Sequence, residues 1–333
     1  MTEILPIDGT SLERAKKIIL CGGAVAFPTE TVYGLGANAL NTDAVKGIFK
    51  IKGRPNDNPL IVHVHKDYDI SALVKEIPHY AERLAEKFLP GPLTMVFKSK
   101  GRVSPAVSCG LDTLAIRVPA HEGAQKFLKY LDLPIAAPSA NVSKHVSPTS
   151  AEHVLFDLNG KIQLILDGGS CSGGIESTVL DCTGEVPVIL RSGLVTREMI
   201  ENVVGACGEY IYSGGAARSP GMKYKHYSPS CQTAMYGYGE LKKALELFDK
   251  ETDKGVKVLI LCEEHVVELL GGRKFINLGA TPEEMAANLY SKLREAEMQA
   301  QLLIVIAPRQ CGGGIMSGVM NRLTKACGSY YER

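Results

Sequence analysis

An α/β fold in two domains is what this sequence predicts, on three observations. Strand-length apolar runs alternate with helix-length amphipathic ones along nearly the whole chain. The length, 333 residues, favours two domains over one. Between 209 and 231 the alternation gives way to glycine, serine, proline and tyrosine, then restarts. The expected division is a mixed-sheet domain over 9–205, a linker or lid over 206–231, and a smaller Rossmann-like parallel-sheet domain over 232–333.

The elements follow in order. Thr10 and Glu13 have the spacing of a capping box for a helix over SLERAKKIIL, with Gly22 at its stop. AVAF reads as a buried strand, and PTETVYGLGAN as a loop because Pro28 and Gly34 interrupt it. A helix from Thr42 to Lys52 stops at Gly53, and Pro55 forbids continuation. LIVHV, LTMVF, LAIRV, PIAAP, IQLILD, STVLD and PVILR are strand-like, with helices over PHYAERLAEKFL, 121–131, the segment after Ser147, and TREMIENVVG. Beyond Gln232 come TAMYGY, KVLILC, FINLG and LLIVIAP as strands, with helices between. Thr281 and Glu284 form a second capping-box pattern, with Pro282 in the first turn.

Composition excludes several classes. Thirty-seven basic against 36 acidic residues leave a net charge of +1, so no whole-chain field recruits nucleic acid or membrane. Nine cysteines without a CxxC pair argue against a disulfide framework. The N-terminus has no signal-peptide core, and the most apolar runs are strand length. A soluble, reduced, cytoplasmic protein is expected.

Four polar, small-residue loops carry the chemistry: PTETVYGLG (28–36), KGRPNDNPL (52–60), APSANVS (137–143) and DGGSCSGGIESTV (167–179). Singly each is turn chemistry. Together they offer hydroxyls, amides, accessible backbone N–H groups and the cations Lys52 and Arg54, an inventory suited to a polyphosphate. Lys52 and Arg54 also read as an ordinary helix end, since cations favour the last turn. His63 and His65 share a strand face as zinc ligands can, but no cysteine or carboxylate cluster completes a site. Ser139 lacks a G-x-S-x-G elbow.

Lys52-x-Arg54 followed by Ser139-x-Asn141, with PTETVYGLG before and ESTV and LRSG after, resembles the YrdC-type domain of threonylcarbamoyl-AMP synthases. SPGMKYKHYSP and the α/β tail resemble that family's long, two-domain form, so the resemblance spans essentially the whole chain. It implies a twisted, open mixed sheet. It also implies synthesis of L-threonylcarbamoyladenylate and pyrophosphate from L-threonine, bicarbonate (or CO2) and ATP with Mg2+. A separate transferase then delivers the threonylcarbamoyl group to adenosine 37 of tRNA. By the same resemblance Arg54, Asn58, Thr113, Ser139, Ser147, Arg191 and Tyr227 contact ATP, with Lys52 and Asn141 in the catalytic signature. Thr31, His63, Arg117, Ala137 and Ser177 form the threonine pocket, and Arg117 takes the carboxylate. Residues 213–230 are expected to close over the nucleotide, with Gly214, Gly215 and Gly221 as hinges. A double-stranded-RNA-binding module is the alternative, because such domains present a locally basic concave face.

Overall fold

The computed structural model describes residues 1–210 and 227–328. Most of the expected lid, Gly214, Gly215 and Gly221 included, lies outside the described residues. Two compact units emerge: most of residues 1–210 form the first, and 227–328 with Lys144–Val146 and Gly173–Ile175 form the second.

The first unit is built on strands β1 Glu3–Pro6, β2 Val25–Phe27, β3 Gly34–Asn38, β4 Ile61–His63, β5 Leu93–Lys98, β6 Thr113–Arg117, β7 Ile135–Ala137, β8 Leu164–Asp167, β9 Thr178–Asp181, β10 Val188–Arg191 and β11 Gly208–Glu209. They make one mixed sheet in the order β1-β8-β2-β3-β7-β4-β6-β5-β9-β10-β11. In its centre β4 runs parallel to β6 and antiparallel to β7, while β5 runs antiparallel to β6 and parallel to β9. The mixed α/β class is thus as expected from sequence.

Strand alternation gives the central sheet two unlike faces, because successive side chains point to opposite sides. Val62, Leu93, Met95, Phe97, Leu114, Ile116, Ala136 and Leu180 point into the main core. On the other face Ile61, Val96, Ala115, Val179 and Leu190 form a small apolar cluster. Toward β2 and β8 on that face Val25, Phe27, Ile135, Ala137, Leu164 and Leu166 join a second core with the helices Gly9–Leu20 and Glu122–Leu131. In register with the small cluster stand His63, Thr94, Thr113, Arg117, Ala137 and Arg191.

The helix Thr42–Lys52 has the bounds its sequence predicts. Asn41 Oδ1 accepts from the N–H groups of Asp43 and Ala44, and Gly53 ends the helix in the left-handed region at φ 61°. Ala44, Val45, Ile48 and Phe49 bury its apolar stripe, leaving Lys52 on the last turn directed into the protein.

Two expectations need correction. The first helix spans Gly9–Leu20, and its capping box is Asp8 with Ser11, not Thr10 with Glu13. The chain offers two overlapping capping frames, and the earlier one starts the helix. GLGAN, read as loop, is strand β3, paired antiparallel with both β2 and β7.

The second unit has strands β12 Gln232–Tyr236, β13 Val258–Cys262, β14 Phe275–Asn277 and β15 Leu302–Ile306, ordered β12-β15-β13-β14. Every pairing in it is parallel, as the strand–helix alternation predicts. The helix Pro282–Gln299 opens with the Thr281–Glu284 capping box read from sequence.

Candidate active site

The loops flanking β4 and β7 meet first. Because those strands are antiparallel, the loop entering β4 (53–60) and the loop leaving β7 (138–143) lie at the same sheet end. Lys52 joins the helix to that meeting point. Lys52 is 2% exposed, and its ammonium donates to Ser139 O at 2.5 Å, Asn141 O at 2.5 Å and Asn141 Oδ1 at 3.2 Å. Ser139 Oγ donates to the same Asn141 Oδ1 at 2.5 Å. Burial, and secondarily the charge of Arg54, pushes the Lys52 pKa well below its ordinary value. Three oxygen acceptors around a group with three N–H donors are nonetheless the arrangement of the charged form. Lys52 is therefore committed to the loop holding Ser139, and its side chain shapes that loop rather than reaching outward.

Arg54 is half-buried, and its Nη2 donates to Asn58 O and Pro59 O at 3.2 and 3.3 Å. Asn58 is 1% exposed, and neither Oδ1 nor Nδ2 has a hydrogen-bond partner among the described residues. A buried amide left so costs about 1–3 kcal/mol, which a ligand's donors and acceptors would recover. Thr113, at the start of β6, lines a small indentation with Pro59 and Leu60.

A second polar cluster occupies the carboxyl ends of β4 and β6. His63 and Arg117 are register partners there. Arg117, 4% exposed, donates from Nη1 to Thr31 Oγ1 at 2.9 Å and from Nη2 to Glu30 Oε1 at 2.8 Å. Glu30 Oε2 also accepts from Ala120 N at 3.1 Å, so the carboxylate is fixed from two sides. His63 is buried with its edge or face toward Phe27, ring centroids 5.7 Å apart. Desolvation, aided by the Arg117 charge, lowers its pKa to about 3, leaving a neutral imidazole at physiological pH. Next along the sheet, Thr94 and Ser177 share a hydrogen bond at 2.8 Å. Arg191 Nε and Nη2 donate to Ser177 O at 3.1 and 2.9 Å. Ala137 pairs with Ile61, and Ser147 Oγ donates to Glu176 Oε1 at 2.7 Å.

Of the residues expected to hold threonine, His63, Arg117 and Ala137 share one sheet face, and Thr31 and Ser177 reach it from loops through their hydrogen bonds to Arg117 and Thr94. Those expected at ATP divide, with Arg54, Asn58, Thr113 and Ser139 at one end of the central strands, and Ser147 and Arg191 toward the other. Thr113 and Arg117 stand about 13 Å apart on the same face by strand rise, room for a nucleotide's phosphates and a second small molecule. Tyr227 is described within the second unit, where it is 6% exposed and its ring lies 5.2 Å from that of Tyr290. Glu30 and Thr94 were not anticipated. Glu30 stands inside the quoted PTETVYGLG stretch, but nothing local signals a partner as remote as Arg117. No group of three or more His, Cys, Asp or Glu side chains suited to a metal ion occurs among the described residues.

Buried cations, hydroxyls and an orphaned amide on one side of a mixed sheet define a protein that takes an anionic small molecule. Comparison with known proteins narrows this class. Residues 17–193 match the family model described as "Telomere recombination", and residues 195–328 match that for the threonylcarbamoyl-AMP synthase C-terminal domain. Threonylcarbamoyl-AMP synthase of Pyrococcus abyssi is 45% identical over 97% of this chain and 95% of its own length. That of Bacillus subtilis is 41% identical over 98% and 96%. The crystal structure of P. abyssi Sua5 complexed with L-threonine superposes with a TM-score of 0.89 at 42% identity, covering 98% of both chains. The chain belongs to the threonylcarbamoyl-AMP synthase family. These relatives support the synthase reading and not the duplex-RNA alternative.

Proposed function

We propose that residues 9–205 make L-threonylcarbamoyladenylate from L-threonine, bicarbonate or CO2, and ATP, releasing pyrophosphate. The observation that carries the reading is the polar face around Arg117. Its guanidinium, set by Thr31 and Glu30, is a permanently charged, planar partner for an amino-acid carboxylate. The neutral His63 beside it adds no positive charge against threonine's ammonium group. Ser177, placed by Thr94 and Arg191, supplies a hydroxyl for threonine's own, and Ala137 leaves space.

At the other end Arg54, Asn58, Thr113 and Ser139 hold ATP, with Ser147 and Arg191 continuing the nucleotide site along the face. Lys52 and Asn141 act by fixing the loop of Ser139. The carbamate oxygen attacks the α-phosphorus and pyrophosphate leaves, a reaction governed by alignment and charge neutralisation. The ATP phosphates themselves would hold Mg2+, which would supply charge neutralisation there. The product passes to a separate transferase that modifies adenosine 37 of tRNA, in the cytoplasm.

The test is pyrophosphate release with ATP, bicarbonate and single amino acids. Threonine exceeds serine, since a methyl in an apolar pocket is worth about 1–3 kcal/mol, and valine, lacking the hydroxyl, is slowest. Equal rates for all three would overturn the threonine assignment.

A further inference from the structure

The second unit holds a cavity of about 430 Å3 that the reaction above does not use. It lies beyond the carboxyl ends of its parallel strands. Glu263 directly follows β13, Pro308 and Arg309 follow β15, and Ala280 lies beyond β14. The chain runs from β13 to β14 on one side, whereas β15 lies on the other. This is the point of an open α/β sheet where strand order reverses and a crevice opens for ligands.

The walls are chemically divided. Met285 and Met316, 3% and 5% exposed, give an apolar, polarisable side. Glu263 is 6% exposed, yet only its Oε1 is engaged, accepting from Arg309 N at 3.1 Å. Its Oε2 has no hydrogen-bond partner among the described residues. Glu263 lines the cavity, so this oxygen is available to accept a hydroxyl or amine hydrogen from a bound molecule. Arg309 and His265 stand at the exposed rim. The Arg309 guanidinium lies 5.7 Å from the Tyr238 ring centroid and meets no carboxylate among the described residues.

We propose that this cavity binds a ribonucleoside monophosphate. Glu263 accepts hydrogen bonds from the ribose hydroxyls, Arg309 and His265 meet the phosphate, and the base lies against Met285 and Met316. In dinucleotide-binding α/β domains an acidic side chain likewise takes the ribose hydroxyl. A free amino acid would satisfy Glu263 and Arg309 by its two charges but would leave much of the volume unfilled.

The experiment uses the full chain with 13C-methyl methionine, resonances assigned by Met285→Leu and Met316→Leu, and AMP as probe. The Met285 and Met316 methyls shift saturably at or below about 1 mM AMP. Glu263→Gln weakens that response about tenfold, and so does replacing AMP with 2′-deoxy-AMP. Arg309→Ala, at an exposed position, weakens it comparably and serves if Glu263→Gln does not fold. Arg54→Ala, in the first unit, leaves it unchanged. The proposal is overturned if both methyls stay fixed at that concentration, if the deoxy compound or inorganic phosphate binds equally well, or if L-threonine moves them and AMP does not.

Discussion

The two sheets bury similar apolar strands but place polar groups in different ways. In the second unit, β13 and β15 are buried along their whole length, VLILC and LLIVI, and polar side chains line the cavity beyond the strand ends. A parallel sheet requires helical crossovers, which cover both faces, so open space remains only past its edges. The first unit mixes parallel and antiparallel pairs, and its central strands present one core face and one face bearing His63, Thr94, Arg117 and Arg191. A mixed sheet can leave a face available for ligands. The lesson is that strand direction, as much as residue type, decides whether chemistry sits on a sheet or beyond it.

Replacing Arg117 should break the comparison most severely. Arg117→Gln leaves the Glu30 carboxylate, 13% exposed, without its cation. Losing one partner of such a buried pair costs about 3–5 kcal/mol. Threonine-dependent pyrophosphate release should collapse and the melting temperature should fall. Adding Glu30→Gln removes the orphaned charge, so the double variant should regain stability but not activity. Recovery of activity in the double variant would exclude Arg117 as the carboxylate partner.

Lys52→Met comes next. It removes the donor shared by Ser139 O, Asn141 O and Asn141 Oδ1, so the Ser139 loop loses its anchor. Loss of a preorganised element of this kind typically reduces rate about 10²–10³-fold. The ATP requirement should rise while the threonine requirement changes little, as measured by steady-state pyrophosphate release. The reverse pattern would assign Lys52 to the threonine end.

How far the sequence carried can be judged from particular residues. The helix Thr42–Lys52 was legible because both its stop signals, Gly53 and Pro55, are local. Strand β3 was not, because GLG has no β-branched residue to announce it. Packing explains the composition: a Cβ on Gly36 would lie 2.7 Å from Ile135 Cγ2 and 2.9 Å from Phe27 Cε1. Glycine is required there by neighbours remote in sequence. The same limit applies at the site. Residues in the quoted motifs were legible as polar and functional, whereas the Arg117–Glu30 pair and the Thr94–Ser177 contact depend on strand register. Lys52 was legible as a signature cation, but its direction, inward to the loop carbonyls, comes from the helix phase and the neighbouring turn.

A smaller effect isolates His63 through pH. Its folded-state pKa, about 3, lies below the ordinary histidine value of 6.5. As pH falls below 6.5 the unfolded chain binds a proton that the folded protein refuses, so this group's contribution to stability declines until pH reaches about 3. Across that window wild type should lose about 1.4 kcal/mol per pH unit more than His63→Asn, the slope of one proton. Parallel stability curves from urea unfolding would mean that His63 is not held neutral.

The mildest test applies one perturbation to each sheet's surroundings. Asp8 caps the helix Gly9–Leu20 in the first unit, and Thr281 caps Pro282–Gln299 in the second, each through a capping box. Asp8 Oδ1 accepts from Ser11 N at 2.8 Å, and Thr281 Oγ1 accepts from Glu284 N at 3.2 Å. Alanine at either position leaves a helix-end N–H without its side-chain acceptor, which costs about 1 kcal/mol. Neither side chain belongs to the polar face around Arg117, so both variants should lower unfolding free energy similarly while pyrophosphate release stays within about twofold of wild type. The matched design matters because it holds the physical perturbation constant and changes only the unit that receives it. If Thr281→Ala were to reduce pyrophosphate release as strongly as Lys52→Met, the second sheet would take part in the reaction itself. A stability loss without an activity loss keeps the chemistry on the face of the first.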